Sequence, residues 1–246
     1  MKIAVAGGTG TVGRPIVEAA RAAGHEVVLL TRSAGVDLTV PLLAADALRG
    51  VDTVIDVSNR PSMAASASVV FFERVTRTLL AGEKQAGVGH HVALSIVGAA
   101  EVDAGYLAGK AAQERLVMAE PGGWSLLRAT QFHEFVPQLL KQGRMGPLQL
   151  VPRMRSRPVA AAEAAAALVR IAEAGPSGLV PDLGGPREER MADLGRRYLA
   201  AIGVRRRVLE LSLPGRWGHS MRDGGMLPGP GATLGTQTFE EWLAER

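Results

Sequence analysis

The stretch Lys2-Ile-Ala-Val-Ala-Gly-Gly-Thr-Gly-Thr-Val-Gly13 decides the fold prediction for this chain. Residues 2–6 (KIAVA) form a short apolar run that is typical of a buried parallel strand, and residues 7–13 (GGTGTVG) form a glycine-rich loop. Residues 14–23 are then predicted as a helix, which Gly24 ends. A pyrophosphate binds well at such a junction, because backbone N–H groups and the positive end of a helix meet there with no Cβ in the way.

Three glycines of this loop, Gly7, Gly10 and Gly13, have the spacing G-x-x-G-x-x-G, whereas the commonest dinucleotide fingerprint is G-x-G-x-x-G. In a chain with 30 glycines such a triplet is weak evidence by itself. Its position directly after the first strand and directly before a helix makes it strong evidence for a dinucleotide site. The alternative is a tight strand-to-helix turn that binds no ligand.

Strands and helices alternate over the first 130 residues. The predicted strands are 2–6, 26–31, 35–38 (a stub), 52–57, 91–97 and 124–129, and the predicted helices are 14–23, 41–49, 66–85 and 107–119. This alternation predicts an α/β fold of the Rossmann type, which is a doubly wound parallel sheet with right-handed crossovers.

The rest of the chain is less regular. We predict helices at 131–142, 160–174 and 188–202, extended chain at 147–158, strands at 178–183 and 207–211, a loop at 214–235 and a short turn at 239–243. The predicted organisation is therefore a nucleotide-binding core at 1–130, to whose sheet 160–183 returns, and a smaller, irregular substrate-binding lobe at 131–246.

Composition narrows the function classes. The 246 residues include no cysteine, which excludes a disulfide framework, a thiolate nucleophile and a thiolate metal site. No histidine has a metal-binding spacing, so we expect no metal. The first residues do not fit a signal peptide, and no apolar run reaches the ~18 residues of a membrane span, so we expect a cytoplasmic protein with no membrane partner.

The basic side chains outnumber the acidic ones by 28 to 24, and most of the basic ones are arginine. They are scattered along the chain except for Arg205-Arg206-Arg207 and the alternating Arg153, Arg155 and Arg157. Nucleic-acid binding needs cations clustered on one face. We therefore interpret them as a solvated surface and expect no nucleic-acid partner, although an alternating set on an extended segment leaves an anionic substrate open.

The residues after the second strand predict which cofactor binds. An Asp or Glu at that position usually holds the ribose 2′-hydroxyl of NAD, whereas an Arg accepts the 2′-phosphate of NADP. This chain has Thr31-Arg32-Ser33 there, and the next carboxylate is Asp37. Arg32, with help from the Ser33 hydroxyl, is the predicted phosphate clamp, so the expected cofactor is NADP(H) rather than NAD(H). The alternative is a solvated arginine at a strand end.

The candidate catalytic residues are Tyr106, Lys110 and Ser95. Tyr106 and Lys110 lie four residues apart and so share one face of a helix, and Ser95 ends the preceding strand. Hydride transfer to a carbonyl leaves an alkoxide that needs a proton donor, and we expect a cation beside the phenol to lower its pKa toward neutrality. Lys110 supplies that cation and holds the nicotinamide ribose, and Ser95 orients the substrate oxygen. An ordinary strand-end hydroxyl is the alternative for Ser95.

Taken together, GGTGTVG, TRS after the second strand, SIVG, YLAGK and LRATQFHEF resemble the atypical short-chain dehydrogenase/reductases. The similarity is greatest to the NmrA-like NAD(P)-binding group, and it covers residues 1 to about 140 well. Ser95, Tyr106 and Lys110 match the Ser, Tyr and Lys of that family. The resemblance implies an NAD(P)H-dependent oxidoreductase, and it makes a homodimer as plausible as a monomer.

The resemblance also implies a set of cofactor contacts. Those to the pyrophosphate come from Gly7, Thr9, Gly10, Thr11, Val12 and Gly13. Those to the adenosine half come from Arg32, which contacts the 2′-phosphate, and from Asp37 and Leu38 at the adenine edge. Val57, Ser58 and Asn59 border the ribose, and Ala129, Thr130, Gln131 and Phe132 lie over the nicotinamide.

Three functions remain open at this stage. The first is an NADPH-dependent oxidoreductase that reduces a small carbonyl, quinone or enone with Tyr106 as the acid. The second is an NADP(H)-binding redox sensor without turnover, and the third and weaker one is a nucleotide-sugar epimerase. His133 and the arginines at 153, 155 and 157 are further candidates for the substrate site.

Overall fold

The computed structural model describes residues 1–40 and 44–246. The chain divides into two compact units, one of residues 1–128 with 164–180 and one of residues 129–163 with 181–246. No helix among the described residues is long and apolar enough to cross a membrane.

The first unit is built on a sheet whose strands run in the order β2-β1-β3-β4-β5-β9. Their bounds are Lys2–Ala6 (β1), Glu26–Leu30 (β2), Thr53–Asp56 (β3), His90–Ile96 (β4), Trp124–Ala129 (β5) and Gly178–Leu179 (β9). The pairs β1–β2, β1–β3, β3–β4 and β5–β9 are parallel. Residues 3–6 have no exposed surface, as expected of a parallel strand covered on both faces.

The helices that accompany this sheet are α1 (Gly13–Ala22), α2 (Ala44–Ala47), α3 (Ala65–Ala86), α4 (Ala99–Val102), α5 (Tyr106–Met118) and α7 (Ala161–Ala174). Helices α3 and α5 lie against each other at Gly109, where a Cβ would overlap Ser68 Oγ. Gly109 therefore permits this close approach.

The second unit consists of short elements. They are α6 (Phe135–Gln142), β6 (Arg144–Met145), β7 (Leu148–Pro152), β8 (Arg155–Ser156), β10 (Leu183–Gly184), β11 (Glu189–Arg190), α8 (Met191–Ala201), β12 (Arg207–Leu211), α9 (Gly215–Asp223), β13 (Thr233–Leu234) and α10 (Phe239–Ala244). Strand β7 pairs parallel with β12 and antiparallel with β6, and β8 pairs antiparallel with β11. Helix α10 begins with a capping box between Thr238 and Glu241.

The predicted doubly wound, mostly parallel sheet is confirmed. Three local predictions are wrong. Residues 239–243 are not a short turn, because they belong to helix α10. Residues 35–38 are not a strand, because residues 32–34 form a 3₁₀ turn that Gly35 ends in the left-handed region (φ 81°). Residues 214–235 are not only a loop, because α9 lies within them and the glycines at 215 and 224, both with positive φ, flank its body. The start of the helix predicted at 41–49 falls outside the described residues.

Candidate cofactor and catalytic site

The glycine loop between β1 and α1 owes its shape to two residues without a side chain. Gly7 has φ 83°, and a Cβ on it would lie 2.7 Å from the Val57 carbonyl oxygen at the end of β3. A Cβ on Gly13 would overlap the Gly7 carbonyl oxygen. Gly10 is less constrained, and its N–H donates to the Gly7 carbonyl at 2.9 Å. The loop can therefore lie this close to the end of β3 only with glycine at position 7, and it can fold back on itself at the start of α1 only with glycine at position 13.

The N-terminus of α1 is open to an anion. No side chain caps it at Val12, and its first turn has no acidic residue. Among the described residues, the backbone N–H groups of Val12 and Gly13 have no hydrogen-bond acceptor, and Thr9, Gly10 and Thr11 are exposed. Uncompensated N–H groups at a helix N-terminus carry partial positive charge and attract a phosphate. The residues present therefore fit the pyrophosphate of a dinucleotide.

Arg32 lies at the end of β2 and is exposed. Thr31 Oγ1 accepts from the Ala34 N–H at 3.3 Å and forms a hydrogen bond with Ser33 Oγ, so the turn is stabilised without the guanidinium. Within the parts of the chain that the structure describes, the Arg32 side chain forms no hydrogen bond or ion pair. It is therefore available for a ligand.

Asp37, the nearest carboxylate that follows Arg32, is engaged in its own turn. It accepts from the N–H and the hydroxyl of Thr39 at 2.9 and 2.7 Å. The hydroxyl contact is the main cause that lowers the pKa of Asp37, and Arg32 contributes a smaller electrostatic effect. Leu38, the other residue predicted at the adenine edge, is buried.

The end of β3 brings polar groups next to the glycine loop. Ser58 is buried, and its hydroxyl has no partner among the described residues. Asn59 is exposed and its Oδ1 accepts a hydrogen bond from the Tyr106 hydroxyl at 2.8 Å. The structure thus brings Val57, Ser58 and Asn59 together with Gly7 on one side and Tyr106 on the other.

Tyr106 is the first residue of α5. Its ring packs edge-on against Phe72 of α3, with ring centroids 5.8 Å apart. Burial raises the pKa of the Tyr106 phenol above its ordinary value of 10.0. The phenol is therefore protonated at neutral pH and has a proton to donate.

Lys110 corrects one expectation from the sequence. Its Nζ donates to the Leu94 carbonyl and to Gln113 Oε1, both at 2.8 Å, and lies 4.4 Å from the centroid of the Phe72 ring. The expectation that Lys110 lowers the phenol pKa is wrong in this structure, because burial raises the pKa of Tyr106 and no effect of Lys110 accompanies it. Burial also lowers the pKa of Lys110 itself to about 8, although Asp56 and Glu114 act in the opposite direction.

Ser95 is likewise held by a group that the sequence analysis did not identify. Its hydroxyl donates to Glu114 Oε1 at 2.5 Å, and Glu114 also forms an ion pair with Arg128 at 2.5 Å. The Ser95 proton is therefore directed to a buried carboxylate and not to a substrate oxygen, which the sequence predicts Ser95 to orient.

A buried network of polar side chains between α5 and the end of β3 is not among the sequence predictions. Gln113 joins Lys110 to Asp56, since its Nε2 donates to Asp56 Oδ2 at 2.8 Å, and the other Asp56 oxygen accepts from the Ser58 N–H. Residues 110, 113 and 114 all lie on the buried face of α5. The signal for this network was polar residues at i+4, i+7 and i+8 from Tyr106, a spacing that puts them on one helical face with the phenol.

The lowered pKa of Lys110 gives an expected pH dependence of stability. Between pH 8 and 10.5 the unfolded chain holds a proton that the folded chain has released, so this group makes folding more favourable as the pH rises. We expect the free energy of unfolding of the wild type to increase relative to that of Lys110→Met over that range, by at most about 1.4 kcal/mol per pH unit. Urea unfolding at pH 7, 8, 9 and 10 measures it.

The control for this experiment is Lys84→Met, which removes an exposed lysine from α3. Its free-energy difference from wild type is expected to stay flat over the same pH range. A Lys110→Met difference that is equally flat contradicts a lowered pKa.

The residues predicted over the nicotinamide belong to the second unit. Ala129 and Thr130 are buried, Thr130 Oγ1 donates to the Arg157 carbonyl at 2.5 Å, and Gln131 Oε1 accepts from Ser156 Oγ at 2.5 Å. Phe132 is half-buried. Their contact with a cofactor stays a prediction.

His133 and the alternating arginines are also in this unit. His133 is buried against Phe239 and Trp242, and burial lowers its pKa, so it is a neutral core residue. Arg155 forms an ion pair with Glu188, and Arg157 donates to a backbone carbonyl. Across residues 1–40 and 44–246 we find no group of His, Cys, Asp or Glu arranged to hold a metal ion.

Several solved structures have the same fold. NADPH-dependent quinone oxidoreductase QOR2 from Escherichia coli, complexed with NADPH, is 19% identical, with 99% of each chain covered and a TM-score of 0.74. A short-chain dehydrogenase/reductase superfamily protein from Agrobacterium tumefaciens with bound NAD is 18% identical, with 100% of this chain and 95% of that one covered and a TM-score of 0.69. A nucleoside-diphosphate-sugar epimerase from Staphylococcus aureus is 16% identical, with 99% of each chain covered and a TM-score of 0.67.

No protein-family model matches the sequence, and no curated protein matches it significantly. At these identities the structural similarities establish the fold alone, which is the Rossmann-type α/β fold that these solved structures share.

Proposed function

We propose that this chain is an NADPH-dependent oxidoreductase that reduces a small carbonyl, quinone or enone. The observation that carries the proposal is the junction of β1 and α1. There a helix N-terminus without a side-chain cap follows a glycine loop that lies against the end of β3. The QOR2 structure, which has this fold and contains NADPH, supports the choice of ligand.

In this proposal, different groups of the chain bind different parts of NADPH. The N–H groups of Val12 and Gly13 bind the pyrophosphate, since no other described group accepts from them. The Arg32 guanidinium binds the 2′-phosphate that distinguishes NADP from NAD. Ser58, whose buried hydroxyl has no partner within the described chain, lies beside Gly7 and donates to the cofactor.

The proton chemistry falls to Tyr106. When bound, the reduced nicotinamide supplies a hydride to the substrate, and the oxygen that develops negative charge requires a proton. The Tyr106 hydroxyl is protonated because burial raises its pKa. Its proton is donated to Asn59 Oδ1, so a substrate oxygen has to replace Asn59 as the acceptor. Lys110 acts as a positioning residue, because its bond to the Leu94 carbonyl fastens the first turns of α5 to β4.

Arg32→Ala tests the cofactor assignment. A charge-assisted hydrogen bond contributes about 1.5–3 kcal/mol, so the variant is expected to bind NADPH roughly 10- to 150-fold more weakly and NADH unchanged. Titration calorimetry with both cofactors measures this. Arg21→Ala, which removes another exposed arginine, is the matched control and is expected to leave both affinities unchanged. Equal losses for NADPH and NADH in Arg32→Ala contradict the assignment.

One observation favours the redox-sensor alternative. Tyr106, Lys110 and Ser95, all three residues that match the family's catalytic set, donate in internal bonds, to Asn59, to Leu94 and Gln113, and to Glu114 respectively. A sensor needs cofactor binding but no turnover. If the wild type binds NADPH and reduces no member of a broad panel of carbonyls, quinones and enones, the sensor function replaces the oxidoreductase.

A further inference from the structure

The second unit contains a positively charged cleft that the proposed function does not use. Its volume is about 760 Å³, and it lies between the last turns of α8 and the chain that leads into β12. Four arginines line it: Arg196, Arg205, Arg206 and Arg207. A volume of this order matches the ~300–1,000 Å³ of small-molecule sites.

The positive charge of this cleft is not neutralised by acidic residues in its lining. None of the described residues that line it is acidic, and only Arg196 has an anionic partner, Asp193 on its own helix. The three consecutive guanidiniums form no hydrogen bond or ion pair within the described residues. Like charges on adjacent residues repel one another, so an anion that binds all three relieves this repulsion.

The arginine side chains and the apolar residues beside them indicate which class of anion fits the cleft. One guanidinium group can bind two phosphate oxygens at once, so three consecutive arginines offer enough donors for more than one phosphate group. Arg206 is half-buried, which limits its freedom and its hydration. Leu199 and Val204 add an apolar wall beside the arginines, against which an organic group can pack.

We propose that this cleft is a binding site for a small molecule with a chain of two or more phosphate groups. The organic part of the ligand lies against Leu199 and Val204. This site is separate in sequence from the glycine loop and Arg32, and its ligand is not the redox cofactor.

The test uses inorganic triphosphate as the probe and titration calorimetry of the full chain as the readout. The wild type is expected to bind triphosphate. The variant R205Q/R206Q/R207Q is expected to bind it at least roughly tenfold more weakly, because charge-assisted contacts are lost. The matched control R21Q/R74Q/R77Q removes the same charge from exposed arginines in the first unit and is expected to stay within threefold of wild type.

Further arms keep the proposal falsifiable. Arg206→Gln alone is a milder change that reports on the site if the triple variant does not fold, and it is expected to weaken triphosphate binding. NADPH affinity is expected to be unchanged in both variants. The NADPH measurement therefore tests the oxidoreductase proposal, and the triphosphate measurement tests this site. Any one of four results overturns the inference. The wild type does not bind triphosphate, or the control variant loses as much triphosphate affinity as R205Q/R206Q/R207Q. Alternatively, the variants of the cleft lose NADPH affinity in parallel, or the wild type binds a 12-nucleotide RNA more tightly than triphosphate.

Discussion

Tyr106→Phe is expected to lower turnover about 10²- to 10⁴-fold while NADPH binds as tightly as in the wild type. The substitution removes only the hydroxyl, which is the proton donor, and leaves the ring contact with Phe72 in place. The bond to Asn59 is lost with it, but that bond joins two groups of the protein and no cofactor atom. Stopped-flow reduction of a quinone at saturating NADPH, with calorimetry for the cofactor, measures both effects.

The matched control is Tyr198→Phe, which removes the hydroxyl of the only other tyrosine in the chain. It is expected to change turnover less than threefold. Asn59→Ala separates orientation from proton donation, because it removes the acceptor of the phenol and keeps the proton. A Tyr106→Phe variant that turns over within threefold of wild type contradicts the role of Tyr106.

The sheet could be predicted because buried parallel strands appear in the sequence as short apolar runs. KIAVA, EVVLL and TVID are continuous apolar or nearly apolar runs, and each is followed by glycine, polar residues or a helix. Residues 3–6 and 53–56 are buried, which requires such runs in β1 and β3, whereas β2 is mostly half-buried. The glycine loop was identifiable for a related reason, since only glycine fits against the Val57 carbonyl at position 7.

The partners of the catalytic candidates could not be predicted in this way. Lys110 contacts Leu94 and Gln113, and Ser95 contacts Glu114, which depends on how α5 is rotated over β4. Spacing along α5 indicates that these side chains share a face, but it does not say which one reaches the strand. The sequence does not predict the helix within 214–235, because frequent glycine and proline indicate a loop, whereas Pro214 and Gly224 lie at the ends of that helix.

The ion pair between Glu114 and Arg128 provides the largest expected effect on stability. Glu114 has 1% of its side chain exposed, and it accepts from Ser95 as well as from the guanidinium. Glu114→Ala removes the carboxylate from beside the Arg128 guanidinium and leaves the buried Ser95 hydroxyl without its acceptor. Breaking a buried pair costs about 3–5 kcal/mol. Arg128 keeps 17% of its side chain exposed and so retains some hydration, which places the expected loss near the lower end of that range.

Urea unfolding at pH 7 measures this loss, with Glu120→Ala as the control because Glu120 is an exposed carboxylate close in sequence. The control is expected to change the free energy of unfolding by less than about 0.5 kcal/mol. Glu114→Met combined with Arg128→Leu removes both charges, and since part of the cost of the single variant comes from a half-buried cation that has lost its carboxylate, the double variant is expected to be more stable than Glu114→Ala. A Glu114→Ala variant as stable as Glu120→Ala contradicts the pair's role. A double variant less stable than the single one shows that Arg128 stabilises the fold through contacts other than the pair with Glu114, and contradicts the assignment of the cost to the broken pair.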